Sequence, residues 1–186
     1  FRVSFMPNGN SKVYTGLKEA GIGSGYGDEM IRIGAVKFAA DGSASERTMS
    51  MSTPYEGKPD DYGILTMNQD EIYAAVDDAV AHDFRVGVHA NGDIAINMVL
   101  NAYEKILKVN NGSNPRHRIE HCSLVNESIL NRIKATGVIP TPFYTYAYYH
   151  GNKWVDYGYE KMQNMFAHRS FLDAGIPVAP ASDFTP

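Results

Sequence analysis

The chain is poor in cysteine, carries no excess of basic residues and has no long apolar run. Its 186 residues include one cysteine, Cys122, which excludes an intrachain disulfide framework and a cysteine-based zinc finger. No uninterrupted apolar stretch approaches the ~18 residues of a membrane span, so we expect no membrane partner. The formal net charge is −4, without a Lys/Arg cluster. This argues against nucleic acid, whose phosphates need cations, and leaves a small-molecule substrate as the expected partner.

The ends of the chain lack the usual signals as well. It begins at Phe1 without an initiator Met or a signal-like segment, and Pro186 follows an apolar run without a closing helix. We therefore expect an internal piece of a longer protein, in which residues 1–186 form a single partial domain. A chain of this length holds roughly one domain. The expected location is cytoplasmic.

Short apolar or β-branched runs alternate with segments of helical periodicity. Six runs have the length and composition of strands buried on both faces: 2–6, 33–39, 84–90, 117–122, 138–143 and 176–181. This alternation predicts an α/β fold with a parallel sheet, because parallel crossovers require a covering helix. Both an open doubly wound sheet and a (β/α)8 barrel fit the pattern. A complete barrel takes about 250 residues, so a barrel here would be incomplete.

Four helices are predicted between these strands. Thr66 and Gln69 have capping-box spacing and predict the start of the first helix. The second helix follows Gly92, and the third runs from a capping Asn126 to Gly137. The fourth helix is expected over 160–174.

Polar side chains lie within, at the end of or just after four predicted strands. Lys37 lies inside one apolar run, His89 and His121 end two others, and Asp183 follows the last. In a parallel barrel the functional groups lie at the C-terminal ends of strands. Two imidazoles and a carboxylate are suitable ligands for a zinc-like ion, which lowers the pKa of bound water to about 7. Taken singly, each has a structural alternative: a hydrogen-bonded core histidine, a helix-capping Asp183, or a Lys37 that extends out of the sheet.

Four segments together resemble the later signatures of the amidohydrolase superfamily. They are KFAADGS from Lys37, HANGD from His89, RHRIEH ending at His121, and Ser182-Asp183. The nearest branch is the amidohydrolase-3 group, which includes N-substituted formamide deformylase-like enzymes. The resemblance covers nearly the whole chain and implies a (β/α)8 TIM-barrel metal-dependent hydrolase, present here as an incomplete barrel of about strands three to eight.

The same resemblance implies roles for individual residues. Lys37 would be carboxylated and could bridge two metals, and His89 and His121 would be metal ligands. Asp183 would be a further ligand and the group that moves the proton. The cofactor would be a divalent metal, most simply zinc, with one or two ions in the intact enzyme. The reaction would be hydrolysis of an amide or related C–N bond. Three residues are candidates to orient the imidazoles, with helix caps and surface ion pairs as the alternatives: Asp93, Arg118 and Glu120.

One family signature, a His-x-His on the first strand, does not occur in this chain, because no two of its six histidines are separated by a single residue. In this chain by itself we therefore expect at most one metal and little or no activity. Two alternatives stay open: a barrel hydrolase that cleaves lactones or phosphoesters, and a non-catalytic α/β binding domain.

Aromatic residues concentrate in 143–159, directly after the predicted 138–143 strand. The run from Phe143 to His150 contains four tyrosines, and Trp154, Tyr157 and Tyr159 follow. Such a segment could form an aromatic wall for a substrate. The alternatives are a lid that packs on itself or a contact between the subunits of a homo-oligomer.

Overall fold

The computed structural model describes residues 1–109 and 116–183 as an α/β fold. Its strands are β1 (Val3–Phe5), β2 (Ile31–Ile33), β3 (Ala35–Ala39), β4 (Arg85–Ala90), β5 (Arg118–His121) and β6 (Ile139–Thr141). Its helices are α1 (Lys12–Glu19), α2 (Gln69–Ala81), α3 (Asp93–Val109), α4 (Glu127–Thr136), α5 (Tyr146–His150), α6 (Tyr159–Met162) and α7 (His168–Asp173). A 3-10 helix spans Gly151–Tyr157. In the described ranges no helix combines the length and the apolar character that crossing a membrane requires.

All the strand pairs are parallel. β3, β4, β5 and β6 form one sheet in chain order, while β1 and β2 form a second. The two sheets meet where β1 continues beside β3, through a parallel bridge between Asn8 and Lys37. The predicted α/β class with parallel strands is therefore confirmed.

Two predicted strands differ from the structure. The 33–39 run divides at Gly34, whose N–H donates to Phe5 O at 2.8 Å. A Cβ at Gly34 would lie 2.7 Å from Ser4 Oγ, so this close approach of the backbone suits glycine. The 176–181 run is not a strand: Ala179 donates to Pro140 O in β6 and Ala181 to Pro142 O just after it, but only one isolated bridge forms. Pro177 and Pro180 have no N–H and cannot complete a ladder.

The start of α2 lies two residues later than predicted. Asn68 accepts from Glu71 N at 3.0 Å, and Glu71 accepts from Asn68 N at 2.7 Å, which completes a capping box. Thr66 instead donates its hydroxyl to Ala39 O at 2.8 Å. Its side chain therefore ties the start of the helix to the end of β3.

The third predicted helix is confirmed and the fourth is wrong in part. α4 has Asn126 at its N-cap and Gly137 at its C-cap, with φ +66° at the glycine. The 160–174 segment is interrupted between α6 and α7, where Phe166 adopts φ +52° and donates to Ser123 O at 2.8 Å. A tertiary hydrogen bond to the loop after β5 thus overrides a continuous helical pattern.

One face of the sheet packs against the core and the other faces a cavity, and successive side chains of β4 alternate between the two faces. Val86 and Val88 are fully buried and belong to the main apolar core, together with residues of α2, α3 and α4. Gly87 and His89 point to the opposite face, because successive strand residues alternate. Burying each such valine contributes about 1.5–3 kcal/mol, so the core holds the cavity-side residues on a rigid frame.

Candidate active site

A cavity of about 610 Å³ opens beyond the C-terminal ends of β3, β4 and β5. Lys37, His89, His121 and Asp183 all line it. The structure therefore brings the four principal predicted residues to one cavity. Their neighbours there include Ser43, Ser45, Asn91, Phe143, Tyr146 and His150.

The two imidazoles are in contact. The ring centroids of His89 and His121 lie 4.3 Å apart at an interplanar angle of 78°. In a regular strand His121 would face away from the side of Glu120, the preceding residue. His121 and Cys122 instead adopt φ +71° and +46°, which turns the His121 ring into the cavity. A left-handed backbone at a residue other than glycine costs on the order of 1–3 kcal/mol and often marks a functional site.

Both imidazoles are held in the neutral form at pH 7. Burial lowers the pKa of His89, partly opposed by its hydrogen bond to Gly42 O, and the charge of Lys37 lowers it further. The pKa of His121 lies well below its ordinary value because of burial, with smaller contributions from His89 and Lys37. Neutral imidazole is the form that binds metals. His121 Nδ1 is buried and has no hydrogen-bond partner among the described residues.

Lys37 lies opposite Gly87 in the sheet register. A Cβ at Gly87 would lie 2.7 Å from Glu120 Oε1, so the glycine leaves space for that carboxylate on the cavity side. Burial lowers the pKa of Lys37, while the charges of Glu120 and Asp183 partly restore it. The Lys37 ammonium is thereby destabilised relative to the neutral amine.

Glu120 and Arg118 form a two-point ion pair on β5. Arg118 Nε and Nη2 each donate to the carboxylate at 2.7 Å, and Thr141 donates to it at 2.8 Å. Burial raises the pKa of Glu120, but hydrogen bonding and charge from Arg118 outweigh this, so the pKa lies below its ordinary value. The pair acts on Lys37 through charge, and neither side chain hydrogen-bonds an imidazole in the part of the chain that the structure describes. Their role in orienting the histidines stays a prediction.

The contacts of Asp93, predicted either to orient an imidazole or to act as a helix cap or surface ion pair, lie with a loop. Its carboxylate accepts from Ser52 N at 2.9 Å and from the Ser52 hydroxyl. Ser52 lies outside the residues that line the cavity. The expectation that Asp93 orients an imidazole therefore has no support in its contacts, and the residue joins a loop to the start of α3 instead.

Asp183 lies at the cavity with φ +49°. Its charge raises the pKa of both Lys37 and His89. Over residues 1–109 and 116–183, however, no three His, Cys, Asp or Glu side chains converge closely enough to hold a metal ion. Two neutral imidazoles, one with a buried nitrogen that has no partner among the described residues, fit a divalent metal. Within residues 1–109 and 116–183 a third donor would be of a different residue type, such as Lys37.

Sequence reasoning missed Asp41. This carboxylate is 3% exposed and accepts from the backbone N–H groups of Ser50, Asn91 and Gly92. Burial raises its pKa to about 6, against the lowering effect of these hydrogen bonds. Its Oδ1 lies 3.5 Å from His89 Nε2. The sequence feature that could have identified Asp41 is an Asp-Gly pair directly after a strand that carries a candidate ligand.

The aromatic segment contributes one wall of the cavity. The Phe143 ring lies 4.3 Å from that of His121 and stacks on Tyr146 at 5.4 Å. Tyr146 in turn stacks on Phe166 at 4.6 Å, so the wall is supported from behind. Tyr148, in contrast, is 86% exposed. Only part of the segment therefore faces the cavity.

Comparisons with known proteins agree on one group. The family model described as the amidohydrolase family matches residues 2–186. The Bacillus subtilis protein YtcJ, whose name assigns it to the amidohydrolases, is 29% identical over 156 residues, which are 82% of this chain and 28% of YtcJ. An uncharacterised metal-dependent hydrolase from Pyrococcus furiosus is 28% identical, with a TM-score of 0.84 over 98% of this chain and 37% of its own. Its counterpart from Pyrococcus horikoshii OT3 is 25% identical, with a TM-score of 0.83 over 98% and 36%. The chain thus spans between about a quarter and two fifths of the length of these relatives.

Proposed function

Because this chain belongs to the amidohydrolase family, we propose that it provides the metal site of a hydrolase that cleaves an amide or related C–N bond in a small molecule. One observation carries the proposal: Lys37, His89 and His121 share one cavity, and the environment holds both imidazoles neutral. We favour this function over a non-catalytic binding domain because two neutral imidazoles in contact at a cavity are suited to bind a catalytic metal.

The proposed architecture is part of a (β/α)8 barrel, equivalent to about strands three to eight. Successive strands lie side by side in chain order, from β3 through β6. The segment that ends at Ala181 continues this order, since Ala181 bridges to Phe143 in parallel. A progression without reversal is what a closed barrel requires, whereas a doubly wound sheet reverses its strand order at a switch point.

We assign the metal to His89, His121 and Lys37, with zinc as the natural choice for imidazole donors. When bound, the ion supplies Lewis acidity and lowers the pKa of water. Lys37 can provide an anionic oxygen only after its neutral amine adds CO₂ and loses a proton, and the lowered pKa of Lys37 favours that amine. This also removes a buried ammonium, which is costly to desolvate.

Asp183 is the proposed proton carrier. Its carboxylate lies at the cavity and acts on Lys37 and His89 through its charge. A carboxylate oxygen there can accept a proton from the attacking water and deliver it to the nitrogen of the departing amine. The same group serves both steps, so replacing it would slow both.

The cavity supports a small substrate whose groups outside the cleaved bond are uncharged. Its volume of about 610 Å³ is in the range of small-molecule sites. Phe143 and Tyr146 provide apolar surface, while Ser43 and Ser45 provide hydroxyls. Among the described lining residues, Lys37 is the one Lys or Arg. A carboxylate on the substrate would therefore find no second Lys or Arg among these lining residues.

The test uses the full-length protein, freed of metal by a chelator and reloaded with zinc. A panel of N-acyl amines, acyl amino acids, lactones and phosphoesters is assayed for hydrolysis. We expect amide cleavage that depends on added metal and falls by at least about 100-fold in His89→Ala and Asp183→Ala. Full activity without metal, or in both variants, would refute the proposal. Cleavage confined to lactones or phosphoesters would keep the site and replace the bond.

A further inference from the structure

A buried carboxylate joins three backbone segments directly behind the imidazole of His89. Asp41 Oδ2 accepts from Ser50 N at 3.0 Å and from Gly92 N at 2.8 Å, and Oδ1 accepts from Asn91 N at 2.9 Å. These bonds tie the segment after β3 to the turn between β4 and α3. Hydrogen bonds to a buried charged acceptor are stronger than neutral ones, so the loops have little freedom to separate.

This carboxylate also lies beside one ring nitrogen of His89. His89 Nε2 lies 2.8 Å from Gly42 O, 3.5 Å from Asp41 Oδ1 and 3.0 Å from Asn91 Nδ2. The two oxygens are acceptors, and Asn91 Nδ2 has its own acceptor in Gly42 O at 3.0 Å. These contacts favour the neutral ring with its proton on Nε2. Nδ1 then keeps its lone pair and is the nitrogen able to bind a ligand.

Asn91 extends the same arrangement to the neighbouring strand. Its Nδ2 donates to Gly42 O at 3.0 Å, and its Oδ1 accepts from Ser123 Oγ at 2.5 Å. Ser123 follows His121 by two residues. The position of the segment that carries His121 is therefore linked, through Asn91, to the segment held by Asp41.

We propose that Asp41 is a positioning residue that fixes the Nε2–H tautomer and the orientation of His89, so that Nδ1 is presented to the metal. Asp41 is not among the residues that line the cavity, and it acts through Gly42, Asn91 and the imidazole. The inference rests on the proposed function in one respect: the largest expected consequence of the positioning is on the affinity for a bound metal. Groups behind metal-binding histidines commonly change metal affinity by 10–100-fold.

Asp93 offers a matched control for Asp41→Asn. It is also a buried carboxylate, 8% exposed, and it also holds a loop through a backbone N–H and a hydroxyl, but its partner is Ser52. Asp93→Asn therefore removes a comparable loop tether without contact to the imidazole. Asn91→Ala is a second test variant that keeps the three backbone bonds of Asp41.

Zinc affinity of the full-length protein is measured by competition with a chromophoric chelator, and the ring tautomer of His89 by ¹H–¹⁵N correlation spectra of the metal-free protein. We expect Asp41→Asn to weaken zinc binding by about 10–100-fold and to mix the tautomers, with Asn91→Ala smaller in the same direction and Asp93→Asn unchanged.

Two results would overturn the inference: an unchanged tautomer in Asp41→Asn, or equal losses in the Asp41 and Asp93 variants. If Asp41→Asn does not fold, an unchanged tautomer in Asn91→Ala overturns the inference instead. Wild-type protein that binds no zinc but changes tautomer in Asp41→Asn would contradict the proposed function and leave the positioning role intact.

Discussion

The ion pair between Glu120 and Arg118 offers a quantitative test of how burial sets the strength of a charge interaction. Glu120→Gln keeps the volume of the side chain but removes the charge that receives two hydrogen bonds at 2.7 Å. The Glu120 side chain is 8% exposed and that of Arg118 is 36% exposed. Breaking a fully buried pair costs about 3–5 kcal/mol. Because water reaches Arg118, we expect a smaller loss of about 2–3 kcal/mol in the free energy of unfolding.

Urea denaturation at pH 7 measures that loss. A second Arg–carboxylate pair on α7 provides the control, since Arg169 donates to both oxygens of Asp173 at 2.8 Å with side chains 87% and 59% exposed. Asp173→Asn should cost less than about 0.5 kcal/mol, as exposed pairs do. Similar losses in Glu120→Gln and Asp173→Asn would refute the reasoning that burial makes the difference.

The same pair makes a prediction about pH. The pKa of Glu120 is depressed in the folded protein, so its contribution to stability is present above the ordinary glutamate pKa and is lost as pH falls through the folded value. Wild-type protein should therefore lose more stability than Glu120→Gln below about pH 4.3, the ordinary glutamate pKa. Parallel stability curves for the two proteins over that interval would contradict the depressed pKa.

Three further perturbations test other parts of the structure. Burial lowers the pKa of His117 to about 4, so its contribution to stability is present above pH ~6.5 and is lost on acidification. In urea titrations, His117→Gln should reduce the fall in the free energy of unfolding between these pH values by on the order of 3 kcal/mol. An unaltered dependence of stability on pH would contradict this. A Cβ at Gly92 would lie 1.8 Å from a backbone oxygen, so Gly92→Ala should lower the free energy of unfolding by at least about 2 kcal/mol, while Gly151→Ala, with nothing within 4 Å, should have little effect. Equal effects of the two would argue against the packing. Tyr146→Leu should raise KM for substrates that carry an aromatic ring by several-fold, because stacking worth about 0.5–1.5 kcal/mol is lost. Tyr148→Leu should leave KM unchanged, since Tyr148 is 86% exposed and lies outside the cavity lining. An unchanged KM in both variants would show that Tyr146 is not part of the substrate wall.

Local patterns were sufficient for much of the fold. The helix between Asn126 and Gly137 has its predicted caps, because a side-chain acceptor at the start and a glycine at φ +66° at the end act within a few residues. The 160–174 pattern failed because one tertiary bond, from Phe166 N to Ser123 O, competes with helical continuity. The start of α2 shifted from Thr66 to Asn68 because the Thr66 hydroxyl found a partner at the end of β3.

The sequence by itself determined the strand–helix alternation and associated Lys37, His89, His121 and Asp183 each with a different apolar run, since polarity and periodicity are properties of consecutive residues. Only the tertiary structure decided how those groups meet. The left-handed backbone that turns His121 into the cavity is a strained local conformation, which persists because the surrounding packing holds it. Asp41 became visible in the same way: its three backbone donors come from segments up to 51 residues away in sequence, and short-range patterns carry no information about such distant partners.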